Sequence, residues 1–147
     1  MSAKKDHLLR LMRLLRQLSN RIGSELSAPL ETQLGLSLKE YQVLLHVAEG
    51  ARYPTDLTER LALPAPSVSR LLEQLVAQGH LMRSLEKHDM RKLRLDLTEA
   101  GRATFEQARE TARGAVLERY AHLEEATVER ALEALERLWQ EMEGTRL

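Results

Sequence analysis

The chain has 147 residues, and its 22 basic residues (Lys plus Arg) balance its 22 acidic ones (Asp plus Glu), so the formal net charge is zero. This length suits one ordinary domain with its own core. The charge balance excludes a bulk attraction to nucleic acid, so any basic surface has to be local. The absence of Cys removes disulfides, thiolate zinc sites and thiol redox switching.

The first helix is predicted from about Lys4 to Ala28. Leu8, Leu11, Met12, Leu15, Leu18, Ile22 and Leu26 recur at helical spacing and share one face, which Leu9 and Leu14 widen. Pro29 is expected to end the helix, because the residue before a proline avoids the helical region. Arg10, Arg13 and Arg16 interrupt the apolar run too often for a secretory or membrane-spanning segment. A soluble cytoplasmic protein without membrane association is expected. A second helix opens at Ser37-Leu38-Lys39-Glu40. This is a capping box, in which the Ser37 side chain accepts from the Glu40 amide and Glu40 reaches back to the Ser37 amide. Leu36 and Tyr41 stand where a hydrophobic staple would, and Leu38, Tyr41, Leu44, Leu45 and Ala48 form the expected buried face. Gly50 is a suitable stop.

Pro54-Thr55 opens a short third helix with Leu57 and Leu61 inward. Leu63-Pro64-Ala65-Pro66 breaks it, and Pro66 suits the first turn of a fourth helix, where its missing N–H costs nothing. Val68, Leu71, Leu72, Leu75 and Val76 face inward on that helix, with Ser67, Arg70 and Gln74 on the opposite side. After Gly79 the period changes. Leu81–Leu85 and Leu93–Leu97 are predicted strands of a two-stranded ribbon with a polar, basic tip. Thr98 is a good N-cap for a fifth helix running to about Tyr120. A sixth, from about Glu125, carries Val128, Ala131, Leu132, Leu135, Leu138, Trp139 and Met142 in one apolar stripe.

The third and fourth helices form a helix-turn-helix pattern and the ribbon stands as its wing, so the fold class is mainly α, a winged helix-turn-helix. Thr55 opens the third helix and Pro66 the fourth, while Ser67 and Ser69 are small enough to let a helix N-terminus approach DNA. Arg70 and Gln74 have the chemistry to read guanine and adenine edges or to hold phosphate. Lys87, Arg91, Lys92 and Arg94 make the wing cationic, and Asp89 is spaced to orient the Arg91 guanidinium in a bidentate pair. A narrow basic hairpin suits an electronegative minor groove. These eleven residues are the candidate DNA-binding set. Taken alone, each half is equally an ordinary solvated surface; their adjacency favours double-stranded DNA as the partner.

The spare apolar faces of the first, fifth and sixth helices suit a second copy of the chain. The expected division is a helical dimerisation region, 1–34 and 102–147, around a winged region, 35–101. His7, His46, His80, His88 and His122 lack metal-ligand spacing, and there is neither a glycine-rich phosphate loop nor a nucleophile elbow. Neither a metal site nor catalysis is expected.

In this order the segments resemble the MarR family of bacterial regulators. Ser37-Leu38-Lys39-Glu40-Tyr41-Gln42-Val43-Leu44 is similar to its second helix, and Pro66-Ser67-Val68-Ser69-Arg70-Leu71-Leu72-Glu73-Gln74-Leu75 to its recognition helix. Gly79-His80-Leu81-Met82-Arg83, Asp89-Met90-Arg91-Lys92 and Leu97-Thr98-Glu99-Ala100-Gly101 resemble the entry, tip and exit of its wing. The resemblance implies an obligate homodimer on the terminal helices that binds a palindromic operator, usually as a repressor. It implies that Ser67, Ser69 and Arg70 read the major groove and that Arg91, oriented by Asp89, enters the minor groove. It also implies release of DNA by a small anionic aromatic effector, with no cofactor, and the lack of Cys removes the family's peroxide-sensing branch. One alternative stays open: a winged-helix dimer serving as a ligand-sensing or protein-interaction module with weak DNA binding. The zero net charge and the acid-rich C-terminal segment leave room for it.

Overall fold

The structure, a computed structural model, describes residues 2–89 and 92–145. In chain order the elements are α1 (Ala3–Leu34), α2 (Leu38–Ala48), α3 (Pro54–Leu61), α4 (Ala65–Ala77), β1 (Leu81–Leu85), β2 (Leu93–Leu97), α5 (Glu99–Tyr120) and α6 (Glu125–Glu143). They divide into two compact units, Met1–Ala115 and Val116–Leu147.

The first unit has one hydrophobic core. Leu30 of α1, Tyr41, Val43, Leu44 and Val47 of α2, Leu57 of α3, Val68, Leu72 and Leu75 of α4, Leu81 and Leu95 of the strands, and Phe105 of α5 are all buried in it. Tyr41 and Phe105 stack with ring centroids 6.3 Å apart. This contact seats the start of α5 on α2.

The expected end of α1 at Ala28 is corrected: the helix runs through Pro29 to Leu34. A proline inside a helix removes one hydrogen bond and costs about 3 kcal/mol. That cost is offset by the turns beyond it, where Leu30 is fully buried and Leu34 packs on the core. The stop comes instead at Gly35, in the left-handed region (φ 61°), whose N–H donates to the Glu31 carbonyl.

The capping box of α2 is present as predicted. The Glu40 N–H donates to Ser37 Oγ at 3.1 Å and the Ser37 N–H to Glu40 Oε1 at 3.0 Å. The buried face is rotated from the expected one. Val43 and Val47 are buried beside Tyr41 and Leu44, whereas Leu38, Leu45 and Ala48 lie at the core's edge. The helix is covered on more than one side, by α1, α3 and α4, so a single-stripe reading undercounts it. The inward set of α4 is observed, with Leu71 and Val76 at its margin.

The strands pair antiparallel in the register Leu81↔Leu97, Arg83↔Leu95 and Leu85↔Leu93. The Leu95 N–H donates to the Arg52 carbonyl at 2.7 Å, which ties the free edge of β2 to the segment before α3. Thr98 caps α5 by accepting from the Gly101 N–H at 2.9 Å, and its hydroxyl donates to the Gly79 carbonyl. The same residue therefore starts α5 and closes the turn after α4. Gly101 is required there: a Cβ at this position would lie 1.9 Å from the His80 carbonyl oxygen.

Within the second unit, no residue of α6 is buried. Among the described residues no helix is long and apolar enough to cross a membrane.

Candidate nucleic-acid interface

On α4, Ser69, Arg70 and Gln74 are exposed and Ser67 is half-buried. Ser67, Arg70, Gln74 and Leu71 line a shallow groove of about 170 Å³ with Leu63 and, from α2, Lys39. This places a second cation beside Arg70. Sequence reasoning used Lys39 only as part of the capping box, since nothing local signals that α2 crosses α4 there. Pro66 is exposed at the start of α4.

Thr55 and Ser69, far apart in sequence, line one cleft of about 260 Å³ with Pro54, Thr58, Ala65, Leu72 and, from the ribbon, Arg83, Leu93 and Leu95. The wing thus packs beside the first turns of α3 and α4. Arg83 was also missed as a site residue; in sequence it is one more polar position on a strand.

The wing is braced just beyond its last strand pair, Leu85↔Leu93. The Tyr53 hydroxyl donates to Glu86 Oε2 at 2.6 Å. The Lys92 ammonium lies 5.6 Å from the centre of the Tyr53 ring, within cation–π range. The Glu86 N–H donates to the Lys92 carbonyl at 2.9 Å and the Lys92 N–H to the Asp89 carbonyl at 3.0 Å, closing the hairpin. The hydrogen bond from Tyr53 holds the Glu86 carboxyl below the usual carboxylate range and pushes the phenol up. Lys87 is exposed nearby. Arg94 is partly engaged, with Nε 3.3 Å from Asp96 Oδ2, and Arg52 lies 3.9 Å from the other oxygen. Arg91, the predicted wing-tip residue, and Met90 lie outside the described residues.

A helix-turn-helix whose second helix exposes small and polar side chains, flanked by a braced basic hairpin, defines the winged helix-turn-helix class. A sequence profile of the MarR family matches residues 34–92, from the end of α1 to the start of β2. No curated protein matches the chain in sequence. Among solved structures, the transcriptional regulator BldR from Sulfolobus solfataricus is 24% identical, with 95% of this chain and 99% of that one covered at a TM-score of 0.84. Wild-type apo MarR from E. coli is 23% identical over 87% of this chain and 96% of its own, at 0.78. A mutant E. coli MarR solved with operator DNA is 22% identical over 93% and 99%, at 0.77. These likenesses establish the fold along most of the chain, beyond the segment matched by the profile.

Proposed function

We propose that the chain is a sequence-specific, homodimeric DNA-binding transcription regulator that represses from a palindromic operator. The observation that carries this reading is the convergence of Arg70, Gln74 and Ser67 with Lys39 on the exposed face of α4, beside a braced wing bearing Lys87 and Lys92. On this reading α4 enters a major groove and the wing reaches the flanking minor groove. The DNA-bound state of the E. coli relative supports the same use of the shared fold.

Homodimerisation is supported by the apolar faces that the two units leave open. On α1, Leu8, Leu9, Met12, Leu14, Leu18 and Ile22 are exposed, and on α6, Val128, Leu132, Leu135, Trp139 and Met142. Monomers rarely tolerate stripes of that length. The dimerisation region is 1–34 with 102–147, and the reading region is 35–101. Release by a small anionic aromatic effector is supported by a Mycobacterium tuberculosis MarR-family protein solved with p-aminosalicylic acid and by Rhodococcus jostii CouR bound to p-coumaroyl-CoA.

The test is fluorescence anisotropy of the purified protein on its own upstream intergenic DNA and on a scrambled control, across a salt series. Tight binding to the upstream fragment alone, with a steep salt slope, is expected. Equal, salt-labile binding to both fragments would instead favour a sensing or protein-interaction module.

A further inference from the structure

The distal half of the wing has little to hold it in place. Leu85 and Leu93 pair across the ribbon yet are 50% and 42% exposed, so apolar packing ends near Leu95. A two-stranded hairpin on its own is marginal in water. One anchor beyond Leu95 comes from outside the ribbon: Tyr53, 33 residues from Glu86 in sequence. Tyr53 is itself fixed, because its N–H and that of Arg52 both donate to Asp56 Oδ2, at 3.0 and 3.1 Å, at the start of α3.

We propose that Tyr53 is a positioning residue for DNA binding, which sets the angle of the wing against the helix-turn-helix through its hydroxyl on Glu86 and its ring at Lys92. The assignment rests on the DNA-binding reading above. Two consequences follow from the chemistry. The phenol occupies the Glu86 carboxylate without supplying a charge, so Glu86 is satisfied without consuming a wing cation. The ring positions Lys92 without neutralising it, because a cation–π contact leaves the ammonium charge intact for phosphate. The wing thereby gains a fixed orientation and keeps its positive charge.

The sign of one substitution separates this role from simple electrostatics. Removing an acidic group next to DNA strengthens binding if charge is all that matters. Under the positioning role, Glu86→Ala weakens it, because the brace is lost. Glu86→Gln keeps an acceptor for the Tyr53 hydroxyl and binds at least as well as wild type. Tyr53→Phe keeps the ring at Lys92 and loses only the hydroxyl bond.

The experiment combines hydrogen exchange of the Glu86 and Lys92 amides in the DNA-free protein with anisotropy titration on the upstream fragment. Tyr53→Phe and Glu86→Ala are each expected to speed exchange at those amides, leave α2 and α4 amides unchanged, and weaken DNA binding roughly threefold or more. The double variant is expected to bind no worse than either single one. Unchanged exchange in Tyr53→Phe, faster exchange with unchanged affinity, or tighter binding by Glu86→Ala would each overturn the assignment. Failure of the wild-type protein to bind DNA would overturn the reading beneath it, and the exchange data would still judge the brace by itself.

Discussion

His46, on α2, has a side chain 22% exposed, and its Nδ1 lies 3.7 Å from a Glu49 carboxylate oxygen. Burial lowers its pKa below 6.5; Glu49 pulls it back up and Arg60 pushes it down. A depressed histidine pKa means that the unfolded chain binds the proton more readily than the folded one. The stability from neutral His46 is therefore fully present above pH 6.5 and is lost as pH falls through the lower folded-state value. The melting temperature should drop between about pH 7.5 and about pH 5.5, and His46→Gln should flatten that drop. Glu86 titrates below its ordinary 4.5, so it lies outside that window. Gly101 gives a sharper prediction at the same scale. Alanine there drives a Cβ into the His80 carbonyl, a backbone group with no freedom to rotate away. Gly101→Ala should cost about 3 kcal/mol of unfolding free energy in urea titrations. Ser37 and Glu40 were legible residue by residue because a capping box is local: both partners lie within one turn. Gly101 was not, because the His80 carbonyl it meets comes from a separate segment of the chain.

At the scale of elements, α4 and the wing are expected to contribute differently to binding. On the proposed reading, the exposed Arg70 of α4 meets base edges and the exposed Lys87 of the wing meets phosphate. Arg70→Ala should cost about 1–3 kcal/mol on the upstream fragment and much less on scrambled DNA. Lys87→Ala should weaken both fragments alike and reduce the salt slope by about one unit. Anisotropy titrations across salt separate the two patterns. The strands were legible to the residue, because the alternation of Leu93, Leu95 and Leu97 specifies both period and inward face. The end of α1 was not. A local rule stops the helix before Pro29, while the burial of Leu30 against a core assembled from later segments carries it to Leu34.

For the whole molecule, the open question is what covers the exposed stripes of α1 and α6. Leu132 is 53% exposed and Trp139 64% exposed on a helix with no buried residue. If a second copy covers them, Leu132→Glu should give a monomer in sedimentation velocity and abolish tight binding to the upstream fragment, since one half-site contact remains. A variant that stays dimeric would place the interface elsewhere.

The sequence by itself determined the order and type of every element, the bounds of both strands, the helix-turn-helix with its wing, and the resemblance to the MarR family. These depend on periodicity, caps and turn residues, each of which acts over a few neighbouring positions. Only the tertiary structure decided the extension of α1 through Pro29, the addition of Lys39 and Arg83 to the candidate interface, the close approach at Gly101 and the Tyr53–Glu86 brace. Each of these depends on residues brought together from separate segments, where burial outweighs a local preference or a hydrogen bond spans 33 positions that no sequence pattern connects.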